Sequence, residues 1–311
     1  MSVFEIKNDT VLGILEHISP YLHGKRDALV RILACVFSGG HMLLEDLPGL
    51  GKTTLAVAAA RALGLSFGRV QCTNDLLPTD VTGLNVFKAE RGEFEFHPGP
   101  IFNNLVLVDE INRASPKTQS ALLESMGEEQ ATIDGVTYRL AEPFFVIATQ
   151  NPIEHSGTFP LPESQMDRFM MRTSIGYPDR DSEKDILRLG LHRHSIDGLS
   201  PLMSAAVVMQ IQEEIEHDVK AGDRILDYIL SLAETTRAHP LITCGISTRG
   251  AMVLLKCARC VAWMQGRDFV IPEDVKAFAE DVLLHRLRFR EESRYEGPAV
   301  LRSVLSGTPV M

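Results

Sequence analysis

The sequence predicts an α/β fold: a parallel sheet covered on both faces by helices, followed by an all-helical part. Three observations carry this. Short apolar runs recur through the first 180 residues, most of them separated by helical patterns, which is how a sheet buried on both faces reads. From about residue 181 the apolar spacing is helical only. A glycine-rich stretch at residues 45–54 follows the first apolar run and opens a helical pattern, the context of a phosphate-binding loop. The change of pattern puts a boundary near residues 178–181 and divides the chain into 1–180 and 181–311.

Length and composition agree. The chain has 311 residues, 45% hydrophobic and 23% charged, enough for about two domains with a sizeable core. Disordered, collagenous and disulfide-scaffold classes are excluded. With 31 Lys and Arg against 41 Asp and Glu, the net charge of −10 lacks the footprint of a nucleic-acid binder, although a local basic patch stays open. No apolar run approaches a membrane span, and no basic segment followed by an apolar stretch marks a signal peptide. Five scattered cysteines fit a reducing compartment, so a cytoplasmic protein is expected.

Taken in order, the buried-strand candidates are residues 42–44, 67–70, 105–108, 144–148 and 173–177. The helix after the third is well marked. Ser115 can cap it, Pro116 suits its first turn, and Leu122, Leu123 and Met126 share one face. Residues 131–140 alternate on both sides of Asp134-Gly135, a two-residue hairpin signal. Residues 84–96 alternate around Arg91-Gly92 and read as a second hairpin. In the later part, Asp223 can cap a helix carrying Ile225, Leu226, Ile229, Leu232 and Ala233. Residues 250–265 form another apolar helix, and Pro272 begins a third through about residue 284.

Chemistry concentrates at three strand ends. In the run Glu45-Asp46-Leu47-Pro48-Gly49-Leu50-Gly51-Lys52-Thr53-Thr54, backbone N–H groups around Gly49 and Gly51 would wrap phosphates at a helix N-terminus. Lys52 would reach the β- and γ-phosphates, and the Thr53 hydroxyl would bind Mg²⁺. The general pattern has glycine where Asp46 stands, and that departure leaves the role of position 46 open. Leu105–Val108 end in Asp109 and Glu110 at the edge where open α/β sheets bind ligands. Asp109 can hold Mg²⁺ through water and Glu110 can polarise an attacking water, although two acids can also be a solvated strand end. The fourth run leads into Thr149-Gln150-Asn151-Pro152, where the Asn151 amide could bond water and γ-phosphate, or Asn-Pro could simply turn.

These residues resemble the AAA+ ATPases, and within them the MoxR family. The resemblance covers nearly the whole chain. It runs through Asp109-Glu110-Ile111-Asn112-Arg113-Ala114-Ser115-Pro116, Ala148-Thr149-Gln150-Asn151-Pro152 and Pro162-Glu163-Ser164-Gln165-Met166-Asp167-Arg168-Phe169, then Ser247-Thr248-Arg249, Pro272-Glu273-Asp274-Val275 and His285-Arg286-Leu287. It implies an AAA+ phosphate-loop αβα core with a five-stranded parallel sheet in the order 5-1-4-3-2, a C-terminal helical lid and two inserted β-hairpins. It implies ATP and Mg²⁺ as cofactors, with Pro48, Gly49, Leu50, Gly51, Lys52, Thr53 and Thr54 at the phosphates and Asp109 with Thr53 at the metal. Asn151 matches the first sensor. Arg168 matches an arginine finger acting on a neighbour's nucleotide, with Arg172 as competitor and an ion pair to Asp167 or Glu163 as the plain alternative. Arg249 matches the second sensor, reaching the γ-phosphate of its own subunit. Leu22-His23-Gly24-Lys25 matches, more loosely, the adenine-side segment, which brings in Gly24. A homo-oligomeric ring, usually a hexamer, is implied. Both hairpins, 84–96 in the second helix and 131–140 before the first sensor strand, would project toward a client or partner, or stand in solvent.

Weaker signals are Cys257-Ala258-Arg259-Cys260, which reads as helix packing more readily than as zinc or redox chemistry, and His192 and His194 around Arg193, which lack a metalloprotease pattern. Arg286, Arg288 and Arg290 with Phe289 suit a solvated face or subunit contact, or nucleic acid. The function expected from the resemblance is an ATP-hydrolysing chaperone that remodels, matures or activates clients, often with von Willebrand factor A domain partners and with metal insertion as one output. Regulators of Rubisco or nitric oxide reductase and magnesium chelatase subunits are related readings. The alternatives are a nucleic-acid-stimulated motor or loader, and a non-hydrolysing switch. Glu110 argues against the switch, which needs no acid beside the water.

Overall fold

The structure is a computed structural model and describes residues 4–152, 157–189, 196–291 and 296–310. Helices α1 (Asp9–Ile18) and α2 (Arg26–Phe37) precede the sheet. Asn8 caps α1, its side-chain oxygen accepting the N–H groups of Thr10 and Val11. Then come β1 (Met42–Glu45), α3 (Lys52–Ala62), β2 (Phe67–Gln71), the one-turn α4 (Pro78–Thr82), the hairpin of β3 (Gly83–Lys88) and β4 (Glu93–Pro98), and β5 (Leu105–Asp109). Helix α5 (Pro116–Glu128), the hairpin of β6 (Gln130–Ile133) and β7 (Val136–Arg139), β8 (Phe145–Gln150), α6 (Glu163–Met166) and β9 (Met171–Thr173) complete the first part.

Among the described residues, five strands pair in parallel in the order β2-β5-β8-β1-β9. Numbered as sheet strands alone, that is 5-1-4-3-2 read from the far edge, as the resemblance implies. The fold is α/β with both sheet faces covered. On one face, α3 presents Ala56, Ala58, Ala59, Ala60 and Ala62, small residues that let its backbone lie close to the sheet. The other face packs Leu122, Leu123 and Met126 of α5. Ser115 caps α5 through its Oγ, which accepts the Thr118 N–H, and Pro116 fills the first turn. The Asp134-Gly135 turn has φ of 51° and 81°, the left-handed pair that matches strand twist.

The later part holds α7 (Arg180–Leu189), α8 (Ala205–His217), α9 (Asp223–Ala238), β10 (Ile242–Cys244), α10 (Thr248–Met264), α11 (Pro272–Ala277), α12 (Ala279–Leu283), β11 (Arg288–Phe289) and α13 (Gly297–Gly307). The apolar cluster on the α3 face continues into Val208, Leu232 and Leu254 of these helices.

Four expectations are corrected. The fifth sheet strand is Met171–Thr173, not 173–177, because the N–H groups of Ile175 and Gly176 turn to the Asp46 carboxylate instead of a ladder. The later part is not purely helical: β10 and β11 pair antiparallel. Asp223 is the first residue of α9 rather than its cap; Gly222 holds the cap position, with no side chain to accept an N–H. The helix from Pro272 breaks at Phe278 (φ −119°, ψ 19°), which separates α11 from α12.

Candidate active site

The connection from β1 to α3 is built for an anion. Gly49 and Gly51 have φ of 84° and 79°, and a Cβ at either would meet no atom within 4 Å. Both take a backbone that side chains rarely adopt, beside open space. Gly51 also stands at the N-cap of α3, so no side chain caps the first-turn N–H groups. Position 46 needs no glycine. The described non-glycine residues with positive φ are Glu110, Glu129 and Asp134. Lys52 rests its ammonium on the Asp46 carbonyl at 2.7 Å. Burial lowers the Lys52 pKa, and the nearby charges of Asp46, Asp109 and Glu110 pull it back up.

Strand β8 lies between β5 and β1, with Glu45 level with Gln150 and Val108 level with Ala148. Asn151 therefore leaves the sheet between the phosphate loop and the acids of β5. Asp109 is buried and pairs with Arg69 of β2 at 2.9 Å. Glu110 follows in a left-handed conformation, φ 55° and ψ 50°, and its N–H donates to the Thr149 Oγ1 at 2.9 Å. Such backbone strain is characteristic of functional sites. The Glu110 carboxylate is held by Arg113 at 3.0 Å and approached by the Gln71 amide at 3.4 Å. Arg69 and Gln71 are site residues that sequence reading missed. Their signal was available: they are the polar positions of Phe67-Gly68-Arg69-Val70-Gln71, in a strand buried at its alternate residues.

Thr53 and Asp109 can supply a hydroxyl and a carboxylate to Mg²⁺. Among the described residues, no cluster of three or more His, Cys, Asp or Glu is set to hold a metal alone. The donor set suits Mg²⁺ completed by phosphate oxygens and water. A cleft of about 460 Å³ adjoins the loop, within the range of ligand pockets. Its walls are residues 20–23 with Lys25, residues 49–51 with Thr54, and Tyr177, Pro178, Glu183, Ile186 and Leu187 at the start of the later part. Gly24, at φ 66°, lets the first wall approach the third: a Cβ there would lie 2.8 Å from Ser182.

The arginines fall elsewhere. Residues 167–170 precede β9, and the Met170 N–H donates to the His41 carbonyl, at the start of β1. The phosphate loop leaves the other end of β1. Arg168 donates to the Leu123 carbonyl at 2.7 Å, and Gly127 leaves room for its guanidinium. Its partner is neither Asp167 nor Glu163, because Asp167 is taken by Arg286 and Arg249, and Glu163 by Arg288. Arg172 is spent on Glu45, beside its own phosphate loop. Arg249, expected to reach its own phosphates, lies 3.5 Å from Asp167 and does not line the cleft. Arg286 is not on a solvated face. Its side chain is only 3% exposed, and its guanidinium donates to Asp167 and to the carbonyls of Phe169 and Met170. Cys257 and Cys260 are buried in α10, and burial pushes the Cys260 thiol up to about 12. His192, Arg193 and His194 lie outside the described residues.

Sheet order, phosphate loop and the acids of the neighbouring strand define a phosphate-loop ATPase domain with a helical lid. The AAA model, an ATPase family associated with various cellular activities, matches residues 41–171, and the AAA lid domain model matches residues 234–304. An uncharacterized protein of Bacillus subtilis, YeaC, is 46% identical over 95% of this chain and 93% of its own. Chaperone MoxR1 of Mycobacterium tuberculosis is 38% identical over 85% of this chain and 72% of its own. The crystal structure of a candidate ATPase from Cytophaga hutchinsonii superposes with a TM-score of 0.90 at 36% identity, covering 97% and 95% of the two chains. The chain belongs to the MoxR family of AAA+ ATPases.

Proposed function

We propose that this protein hydrolyses ATP as a MoxR-type chaperone, working as a homo-oligomeric ring that remodels or activates client proteins. The observation that carries the reading is the convergence of the phosphate loop, Asn151 and the Asp109–Glu110 pair at one edge of three adjacent strands. Lys52 leaves the Asp46 carbonyl and faces the phosphates. The loop N–H groups and the start of α3 hold their charge. Mg²⁺, held by Thr53 and by Asp109 through water, would screen the phosphate oxygens. Glu110 releases Arg113 and polarises the attacking water, which Asn151 orients. Residues 20–25, with Gly24 at the close approach, wall the nucleotide together with the start of α7.

Arg168 lies across the sheet from its own loop, which supports a finger that acts on a neighbouring subunit's phosphate. The pair of Arg249 with Asp167, the residue before Arg168, lies on the same edge, which supports the two arginines acting together on that neighbour. The proposed functional units are a core, 1–180, and a lid, 181–311. The client surface is the joined hairpins, linked where Phe96 stacks on Tyr138 at 4.2 Å and Asn85 bonds Asp134 at 2.8 Å. Phe87 and Phe94 stay exposed beyond that junction. A von Willebrand factor A domain partner, a hexameric ring, metal insertion and a cytoplasmic site belong to the same reading. Among the described residues, no helix is long and apolar enough to cross a membrane.

The test is calorimetry and phosphate release with ATP and Mg²⁺ on the wild type and on Lys52→Ala. The wild type binds and hydrolyses, and the variant loses most of its affinity, because alanine leaves the phosphate charge uncompensated. Equal affinity in both would remove the phosphate-loop assignment.

A further inference from the structure

Asp46 stands where the general phosphate loop has glycine, and it makes contacts glycine cannot. Its side chain is buried, and its carboxylate accepts two consecutive backbone N–H groups, those of Ile175 and Gly176, the latter at 3.1 Å. The same Gly176 offers its carbonyl to the Lys25 ammonium at 2.8 Å, so the residue is held through both its N–H and its C=O. Gly176 has φ 70°, where a side chain would be strained. Meanwhile the Asp46 main-chain carbonyl accepts the Lys52 ammonium. One residue thus touches the phosphate-binding lysine through its backbone and the entry to α7 through its side chain.

The charges are matched to this arrangement. Lys25 is desolvated, which lowers its pKa, and Asp46 and Glu183 are the charges that counter the shift. Charge-assisted bonds of a carboxylate to backbone N–H groups are among the stronger protein hydrogen bonds. Directly after Gly176 come Tyr177 and Pro178, then α7 with Glu183, Ile186 and Leu187, which form the lid-side wall of the cleft. Tyr177 and Leu187 are 70% and 81% exposed, so this wall is open on its outer side.

We propose that Asp46 is a positioning residue that couples occupancy of the phosphate loop to the cleft wall of residues 175–187. When Lys52 turns to a phosphate, the Asp46 carbonyl loses its donor and the loop around it adjusts. The carboxylate, bonded to Ile175 and Gly176, carries that adjustment to α7. The inference rests on the ATP-binding reading above.

The test compares the wild type with Asp46→Gly, which restores the general pattern, and Asp46→Asn, which keeps the shape but sets an NH₂ group against a backbone N–H. Amide hydrogen exchange is read without nucleotide and with Mg²⁺ and ADP. ADP affinity comes from calorimetry and kcat and KM from phosphate release. Thermal melts verify folding, and Asp46→Asn carries the test if Asp46→Gly does not fold. In the free protein, exchange at Ile175 and Gly176 rises roughly tenfold or more in Asp46→Gly, as expected for losing a charged acceptor. In the wild type, ADP slows exchange across residues 180–189. In the variants ADP still binds at saturating concentration, but that protection falls by at least half. KM for ATP rises about tenfold while kcat stays within about threefold, the signature of a loosened wall rather than lost chemistry. Variants that exchange like the wild type at 175–176, or that retain full ADP protection of α7, overturn the coupling and leave the ATPase reading intact. A wild type that binds no ADP or ATP overturns both.

Discussion

Glu110 and Asp109 are adjacent in sequence, yet their surroundings give them different duties. Asp109 is buried against Arg69 at the end of its strand, whereas Glu110 swings out through a left-handed backbone toward Arg113. Glu110→Gln keeps the shape and removes the charge that polarises water. ATP should still bind, and phosphate release should fall by roughly 10²–10⁴. Asp109→Asn disturbs the metal and frees Arg69, so it should weaken both binding and turnover. Parallel calorimetry and phosphate-release assays separate the two, and a wild-type rate in Glu110→Gln would remove the assignment of the base. At this scale much was legible. Gly49, Gly51, Lys52, Asp109 and Glu110, picked out by residue type and spacing, do meet at neighbouring strand ends. Arg69, Gln71 and the carboxylate of Asp46 were not legible, because their partners lie at the end of β5 and in the turn after β9, which only the sheet order brings alongside.

Elements were legible where local chemistry decides them. Ser115 and Pro116 opened α5 as expected because a hydroxyl acceptor and a residue lacking an N–H both suit a helix start. Ser115→Ala should therefore cost about 1 kcal/mol, lowering the melting temperature by roughly 2–4 °C. An unchanged melt would mean that the Thr118 N–H finds an equal partner without it. Elements were illegible where tertiary contacts overrule pattern. The run 173–177 looks like a strand, but its later amides belong to Asp46, and Gly176 turns the backbone away. Phe278 interrupts a helix whose apolar spacing gives no warning; it is fully buried and packs edge-on against Phe4, far away in sequence.

For the molecule as a whole, the position of Arg168 makes a prediction about assembly. Lys52→Ala and Arg168→Ala should each be nearly inactive alone. Mixed together they should recover part of the wild-type ATPase rate, because an intact loop of one then meets an intact arginine of the other. Arg249→Ala should complement Lys52→Ala in the same way. Sedimentation with ATP and Mg²⁺ should show oligomers, and a strict monomer that still hydrolyses ATP would remove the ring. Stability should also fall with acid. His41 is buried between the Val146 N–H and the Met126 carbonyl, and burial holds its pKa at about 4; His285 is held at about 3 by burial and by the adjacent Arg286. Both values lie below that of the unfolded chain, so on acidification the unfolded state takes up protons first. The contribution is complete above about pH 6.5 and is lost as pH falls toward 4, on the order of 3 kcal/mol for His41. Melting temperatures measured from pH 7.5 to 4.5 check this, and a flat profile would count against two neutral buried rings.

The Asp167 carboxylate holds two guanidinium groups of unequal exposure: Arg286 at 3% and Arg249 at 61%. Dissolved ions distinguish them. At 0.1 M salt, screening acts over about 10 Å of solvent but penetrates a buried pair poorly. Raising ionic strength therefore loosens Arg249 while Arg286 keeps the 167–170 loop, and Arg168 on it, in place. Salt becomes a selective solvent control: it frees Arg249 from Asp167 before it deforms the edge on which Arg168 sits.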